Sequence, residues 1–254
     1  MIALIGIGLG ARDISVKSID FIRSADTVIM DSYTSTIGKE SIDFIIKETG
    51  KEPKKEPRSA FEDNLKDTVN TARDKSMAIL VIGDPLVATT HHIILDEARK
   101  QGIKTAVFHS ASIFSAAIGE SGLDIYKFGP STTVPFWSEH YKPTSFIDAI
   151  AKNKENNEHT LLLLDVGAGG TSPMGIAEAL KIINNAQEMQ GNKTIKDQDK
   201  LIILADIGRE SQKIIHSKYS EIIFHEEELA GSTISIIVPA ELNFAEADAL
   251  SAKI

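Results

Sequence analysis

Two α/β domains in tandem, each a sheet covered by helices, are what this sequence predicts, and three observations carry the prediction. Short apolar runs alternate along the chain with stretches whose apolar residues recur at helical spacing. The apolar stretches, Met77 to Ile82 and the near-continuous Leu161 to Val166 and Ile234 to Val238 among them, are strand-sized, well short of the roughly 18 residues needed to span a bilayer. A segment marked by three glycines, residues 119–129, carries few periodic apolar positions and separates two such halves. The expected organisation is an N-terminal α/β domain over residues 1–118, a linker over 119–130 and a C-terminal α/β domain over 131–254. Tandem domains offer a cleft, a favoured place for a cofactor.

The elements follow in order. Ile2 to Ile5 reads as a strand, and Ser15 caps a helix in which Val16, Ile19, Ile22 and Ala25 recur at helical spacing. Thr27 to Met30 is the next strand. A helix carrying Ile42, Ile45 and Ile46 stops near Gly50, and another carries Phe61, Leu65, Val69 and Ala72. Met77 to Ile82 and Lys104 to His109 complete the strands of this half, with a helix through Ile94, Leu95 and Ala98 between them. Strands joined by helices imply a mostly parallel sheet covered on both faces. In the second half, Thr132 to Phe136, His159 to Asp165, Leu201 to Ala205, Glu221 to His225 and Ser232 to Val238 read as strands. Helices are expected from Phe146, after a cap and proline at Ser172-Pro173, and over Leu242 to Leu250, while the polar run Asn184 to Lys200 reads as a mobile loop.

Composition narrows the function classes. Cysteine is absent, which excludes disulfides, thiolate metal sites and a cysteine nucleophile, and fits a reducing cytoplasm. A formal charge of −9 argues against a broad nucleic-acid surface, where phosphates require clustered Lys and Arg. The one basic cluster, Lys51 to Arg58, is interleaved with glutamates and reads as a solvated linker. Neither a membrane span nor a secretory signal is expected. No metal site is expected either: the seven histidines lack the His-Glu-x-x-His spacing, and adjacent His91 and His92 cannot share a ligand from one helix.

Ten residues, Gly83 to His92, are the most informative. A strand that runs into Gly83-Asp84-Pro85 must turn, because Gly permits unusual backbone angles and Pro lacks the amide hydrogen. In an open α/β sheet ligands bind beyond the carboxyl ends of the strands, so a turn with backbone amides and one carboxylate is a candidate cofactor cradle. Gly6-x-Gly8-x-x-Ala11 after a strand, with Asp31 ending the next strand, also satisfies the loose dinucleotide fingerprint. However, Arg12-Asp13-Ile14 intervenes before the cap at Ser15, so the helix does not open inside the glycine motif. A nicotinamide site, a plain tight turn and a loop bordering another cofactor all stay open at this point.

Gly83-Asp84-Pro85-Leu86-Val87-Ala88-Thr89-Thr90-His91 resembles the signature of the diphthine synthase branch of the tetrapyrrole-methylase-like methyltransferases, class III enzymes with two tandem α/β domains and a cofactor cleft between them. Other stretches agree in the same order: Ile5 to Gly10 with Asp13 to Lys17, Tyr33-Thr34-Ser35, His109 to Ile113 with Gly122 to Gly129, and Pro143-Thr144-Ser145. The resemblance implies S-adenosylmethionine as cofactor, contacted by Leu9, Asp84, Val87, Ser112, Ile113, Leu164, Ile207 and Ile234. It implies as acceptor the amino group of a 3-amino-3-carboxypropyl-histidine on translation elongation factor 2, methylated repeatedly. It further implies a homodimer, a cytoplasmic location and an archaeal origin.

By the resemblance, departures occur at Gly167 to Ser172, where relatives commonly carry charged residues and a Met-Thr pair, at Ile234, where some relatives have His, and at Asn243, where relatives often have His. No residue is singled out as catalytic, because methyl transfer from a sulfonium needs alignment more than a nucleophile. His91 is the one histidine in the signature and a candidate to meet the acceptor. A porphyrinoid acceptor is the alternative with the same cofactor, and a nicotinamide oxidoreductase or a non-catalytic binding module the alternative without it.

Overall fold

The structure, a computed structural model, describes residues 1–167 and 172–251. The chain forms two units, dividing between Ile113 and Phe114. In the first, β1 (Ile2–Gly6), β2 (Thr27–Asp31), β3 (Lys54–Glu56), β4 (Met77–Val81) and β5 (Thr105–Phe108) make one parallel sheet in the order β3-β2-β4-β1-β5. Its central strands β1 and β4 are buried throughout, and their alternate residues feed two separate cores. Ile2, Leu4 and Ile79 pack with Phe61, Val69 and Ile94 from α3 (Arg58–Phe61), α4 (Leu65–Asn70) and α5 (His92–Lys100). Ala3, Ile5 and Leu80 pack with Ile22 and Ile45 from α1 (Val16–Ser24) and α2 (Lys39–Thr49). Helices therefore cover both faces, which is why these strands read as unbroken apolar runs.

The connections set the ligand-binding end. From β1 the chain crosses toward β2, and from β4 it crosses the opposite way to β5. This reversal leaves a crevice beyond the carboxyl ends of β1 and β4. Ser15 caps α1 as expected, its side chain accepting from Ser18 N–H at 3.1 Å.

In the second unit, β6 (Thr132–Val134), β7 (Thr160–Leu164), β8 (Lys200–Ala205), β9 (Lys213–Lys218) and β10 (Ile234–Val238) form a mixed sheet in the order β6-β7-β10-β8-β9. Only β6 and β7 run parallel; β10 is antiparallel to both its neighbours. Phe146, Ile147 and Ile150 of α7 (Ser145–Glu155) and Ile176, Ile182 and Ile183 of α8 (Ile176–Gln190) build its core with the strands. The remaining helices are α6 (Ile113–Ser121) and α9 (Phe244–Ser251). Asn243 caps α9 in a reciprocal box: its Oδ1 accepts from Glu246 N–H at 2.9 Å, and Glu246 Oε2 accepts from Asn243 N–H at 2.8 Å. No helix of the described residues is long and apolar enough to cross a membrane.

Several expectations are corrected. Lys51 to Arg58 is not merely linker: Lys54–Glu56 is the edge strand β3, and its exposed lysines are the kind of charge that keeps an open edge from pairing further. The single helix expected through Phe61 to Ala72 is two short ones, α3 and α4. Glu221 to His225 is a 3-10 helix, Tyr219–His225, rather than a strand; Tyr219 and Ile222 are buried three residues apart, the period of that helix. The strand on that side is β9, which the sequence reading missed because its half-buried edge position leaves no apolar run. Asn184 to Lys200 is not a loop throughout. Helix α8 continues to Gln190 with Ala186 and Gln187 buried, and Gln187 Oε1 accepts from Ile195 N–H at 2.6 Å. That helix also starts later than expected, at Ile176 behind Gly175, so Pro173 lies in the preceding segment and does not open it.

Candidate functional site

Three loops meet at the carboxyl ends of β1, β4 and β5. Gly6 shows how closely: a Cβ there would stand 2.6 Å from the Gly83 carbonyl oxygen and 2.9 Å from both Pro85 Cδ and Ser110 Cβ. The loops after β1 and β4 are joined by a reciprocal pair of hydrogen bonds, Gly8 N–H to Gly83 O at 3.2 Å and Gly83 N–H to Gly8 O at 2.8 Å. Gly83 sits at φ +75°, and a Cβ on it would approach nothing closer than 3.8 Å, with Leu9 Cδ2 at 4.0 Å. Here glycine serves the turn's backbone angle rather than close packing.

Two carboxylates pin this cradle. Asp13 Oδ2 accepts from Leu9 N–H at 3.0 Å and Gly10 N–H at 2.7 Å. Asp84 is buried; its Oδ1 accepts from Leu86 N–H at 3.0 Å, while its Oδ2 takes Ser110 N–H at 3.2 Å and His109 Nδ1 at 2.8 Å. Val87 N–H is bonded to the Asp84 carbonyl at 3.3 Å. The amides of Gly8, Leu9, Gly10, Gly83, Leu86, Val87 and Ser110 are thus engaged within the cradle. A phosphate would seek free amides. Beside these engaged amides stands acceptor capacity, the second lone pairs of carbonyls and a buried carboxylate, which suits a cationic ligand.

Leu9, Asp84, Val87 and Ser112 belong to the strand-end loops of the first unit, and Ile113, its last residue before the second unit, opens α6. Leu9, Val87 and Ile113 are partly exposed and Ser112 is buried. In the second unit, Leu164 ends β7, Ile207 follows β8 and Ile234 opens β10. Because β10 is antiparallel to β7 and β8, all three fall at one end of that sheet. Asp206, at φ +51°, ties the corner: it accepts from Thr233 N–H at Oδ1 (3.0 Å) and from Ser211 Oγ at Oδ2 (2.9 Å). Ile234 has its side chain packed in the core of this unit. Positions 168–171 of the Gly167 to Ser172 loop lie outside the described residues.

Two readings change. Asp31 does not present a carboxylate to a ribose: it is wholly buried, accepting Tyr33 N–H at 2.8 Å and Thr34 N–H at 3.2 Å at Oδ1 and the Thr34 hydroxyl at Oδ2. His91 does not face an acceptor. Only 1% exposed, it lies edge-on to Phe61 with ring centroids 5.7 Å apart and Nε2 at 3.4 Å from Asp31 Oδ2. Burial depresses its pKa, against the opposing pull of Asp31 and Glu62, so the ring is neutral. Conversely, the sequence reading passed over His109 and Asp13 as site residues. Their partners are only partly local: Asp13 reaches back three and four residues, a recognisable turn spacing, whereas His109 meets Asp84 across 25 residues and gave no local signal.

Comparison with known proteins agrees along the whole chain. The model of the Tetrapyrrole (Corrin/Porphyrin) Methylases matches residues 1–223. A diphthine synthase from Methanothermobacter thermautotrophicus is 36% identical over 251 residues, covering 98% of this chain and 94% of the relative. The human diphthine methyl ester synthase is 34% identical over 236 residues, covering 84% and 81%. A crystal structure of diphthine synthase superposes with a TM-score of 0.87 at 30% identity, covering 99% of this chain and 94% of the other.

Proposed function

The chain belongs to the Tetrapyrrole (Corrin/Porphyrin) Methylase family and is a methyltransferase, and from that premise we propose that it acts as a diphthine synthase, using S-adenosylmethionine to methylate the amino group of the 3-amino-3-carboxypropyl-histidine of translation elongation factor 2. One observation carries the choice of cofactor. Seven amides of the cradle are engaged and a buried carboxylate stands at its centre, which favours a ligand bearing an ammonium and a sulfonium over one bearing phosphates. The names of the relatives carry the choice of acceptor.

When bound, the cofactor supplies a methyl group on positively charged sulfur, which passes to the amine lone pair as the carbon–sulfur bonding pair returns to sulfur. The protein's work is alignment, which is worth about 7 to 11 kcal/mol of barrier when the geometry is near-attack. Leu9, Asp84, Val87, Ser112 and Ile113 of the first unit, with Leu164, Ile207 and Ile234 of the second, are the contacts we assign to the cofactor. A homodimer belongs to the same proposal.

The test is incubation with methyl-labelled S-adenosylmethionine and elongation factor 2 bearing the precursor modification. Label is expected on that factor and nowhere on the unmodified one. Equal labelling of both, or of neither, refutes the assignment. Calorimetry with S-adenosylhomocysteine and with NAD separates the oxidoreductase alternative, which predicts binding of NAD alone.

A further inference from the structure

We propose that His109 is the general base that removes the proton from the amine acceptor, and that Asp84 holds it in the tautomer this task requires; the proposal rests on the amine-methylating function just given. An amine at neutral pH is an ammonium ion, and it has no lone pair to give until it loses a proton. Each methyl group added to the same nitrogen requires one such loss. A base that serves repeated rounds must reach the acceptor, keep a free lone pair and shed its proton to water between rounds.

His109, the first residue after β5, is open to an acceptor and to water and is oriented by a buried acid. Its Nδ1 stands 2.8 Å from Asp84 Oδ2. A carboxylate only accepts hydrogen bonds, so Nδ1 carries the hydrogen and Nε2 of the neutral ring carries the lone pair. Asp84 is fixed in turn by Leu86 N–H and Ser110 N–H, and its side chain is only 7% exposed, so it cannot swing away from the ring. The imidazole itself is 68% exposed. A buried acid orienting an accessible imidazole is the arrangement that makes histidine a directed base and then stabilises the imidazolium it becomes. The proton passes from the ammonium nitrogen to Nε2, leaving the amine neutral, and then from Nε2 to water.

Other candidates in this cradle are occupied or enclosed. Asp13 Oδ2 holds two amides, and His91 is buried among Tyr33 and Phe61. The charged group in contact with His109 among the described residues is Asp84 on the loop after β4; on the neighbouring elements, the Asp13 carbonyl on the loop after β1 accepts from Ser110 Oγ (3.0 Å) and Lys17 of α1 has its Nζ 5.1 Å from the Phe108 ring centroid.

Two experiments test the assignment. In the protein without cofactor, nitrogen NMR of labelled histidine should show His109 as the Nδ1–H tautomer in the neutral state. That preference should disappear in Asp84→Ala. Single-turnover methylation of the modified elongation factor should fall about 10²–10⁴-fold in His109→Gln, while S-adenosylhomocysteine affinity changes less than about threefold. The lost rate should return about tenfold per pH unit as the solution itself deprotonates the amine. Methylation of the acceptor's carboxylate, which carries no proton to remove, should be untouched by the substitution. A neutral His109 found as the Nε2–H tautomer, or a variant within a few-fold of wild type at neutral pH, overturns the proposal. A wild-type chain that methylates no amine on the factor overturns the functional reading and this proposal with it, whereas an active wild type with an equally active variant overturns this proposal alone.

Discussion

Replacing Glu246 by Gln should destabilise the second unit by about 3 kcal/mol. The carboxylate is 2% exposed and accepts four hydrogen bonds: Asp124 N–H at 3.1 Å and His159 Nε2 at 2.8 Å on Oε1, Asn243 N–H at 2.8 Å and Lys127 Nζ at 3.0 Å on Oε2. A glutamine amide has one oxygen, so either orientation aims its NH2 at two donors and leaves the Lys127 charge unpaired. The pKa supports the same magnitude. Burial pushes it up, but the hydrogen bonds from Asn243, His159, Lys127 and Asp124 outweigh burial and hold it at about 2, against 4.5 for the free group. The unfolded carboxylate therefore binds a proton at a pH where the folded one does not, so this stability is whole above 4.5 and is lost as pH falls toward 2. That difference is worth on the order of 3 kcal/mol. The chain has one tryptophan, Trp137, packed against the core of this unit, so urea unfolding followed by its fluorescence reports on the right half of the molecule. A Glu246→Gln protein within about 0.5 kcal/mol of wild type, or one that keeps the wild-type loss of stability between pH 4.5 and 2, refutes the reasoning.

Three further outcomes are expected. His159 is fully buried with Nδ1 accepting from Ala240 N–H at 2.9 Å; burial depresses its pKa more than the Glu246 hydrogen bond raises it. The unfolded ring, titrating near 6.5, takes a proton that the folded ring refuses, so stability should decline as pH falls below 6.5 by up to about 1.4 kcal/mol per unit, and His159→Gln should flatten that slope in pH-dependent urea titrations. Gly6→Ala must part three loops and should weaken S-adenosylhomocysteine binding at least about tenfold by calorimetry, a loss of about 1.4 kcal/mol, whereas Gly83→Ala meets only ordinary van der Waals contacts and should cost about 1–2 kcal/mol of stability from its backbone angle alone. Asp13→Ala strands the amides of Leu9 and Gly10 and should lower stability by about 2 kcal/mol in thermal unfolding; an unchanged melting temperature counts against the pinning role.

What the sequence disclosed depended on how local the determining interactions are. The strands of the first unit were legible because both faces of the parallel sheet are covered, leaving runs such as Met77 to Val81 with every side chain buried. Edge strands β3 and β9 were not, since a partly solvated strand keeps charges such as Lys54 and Lys213. The tail of α8 looked like loop because Asn184, Asn185 and Gln187 are polar; burial of Gln187 is possible only because its amide oxygen meets Ile195 N–H, a partner eight residues away. At the site, the turn at Gly83-Asp84-Pro85 was visible from residue type. Its partners Gly8, Ser110 and His109 come from two other strands, and no pattern along one stretch could reveal them.

The aspartates show why residue type misleads about chemistry here. Asp13, Asp31, Asp84, Asp165 and Asp206 all stand at or just beyond the carboxyl ends of strands, where an acid invites a catalytic or ribose-binding reading. Each instead accepts backbone amides from the turn it occupies or a neighbouring one: Asp165, for example, holds Val166 N–H at 2.8 Å and Phe136 N–H at 3.1 Å. A strand that ends in a tight turn leaves amides without ladder partners, and a short carboxylate is the cheapest local acceptor for them. For Asp13, Asp31, Asp165 and Asp206 substitution should therefore be read first as a loss of loop geometry; the one exposed or half-buried basic partner among them, Arg209 on Asp206 Oδ1 at 3.3 Å, is a guanidinium that stays charged and has no lone pair to take up a proton. Asp84 differs in one contact, the exposed imidazole of His109, and that contact turns a structural pin into a device able to direct a proton. The distinction is measurable: removing Asp13 or Asp165 should change stability without altering the pH dependence of methyl transfer, whereas removing Asp84 should alter both.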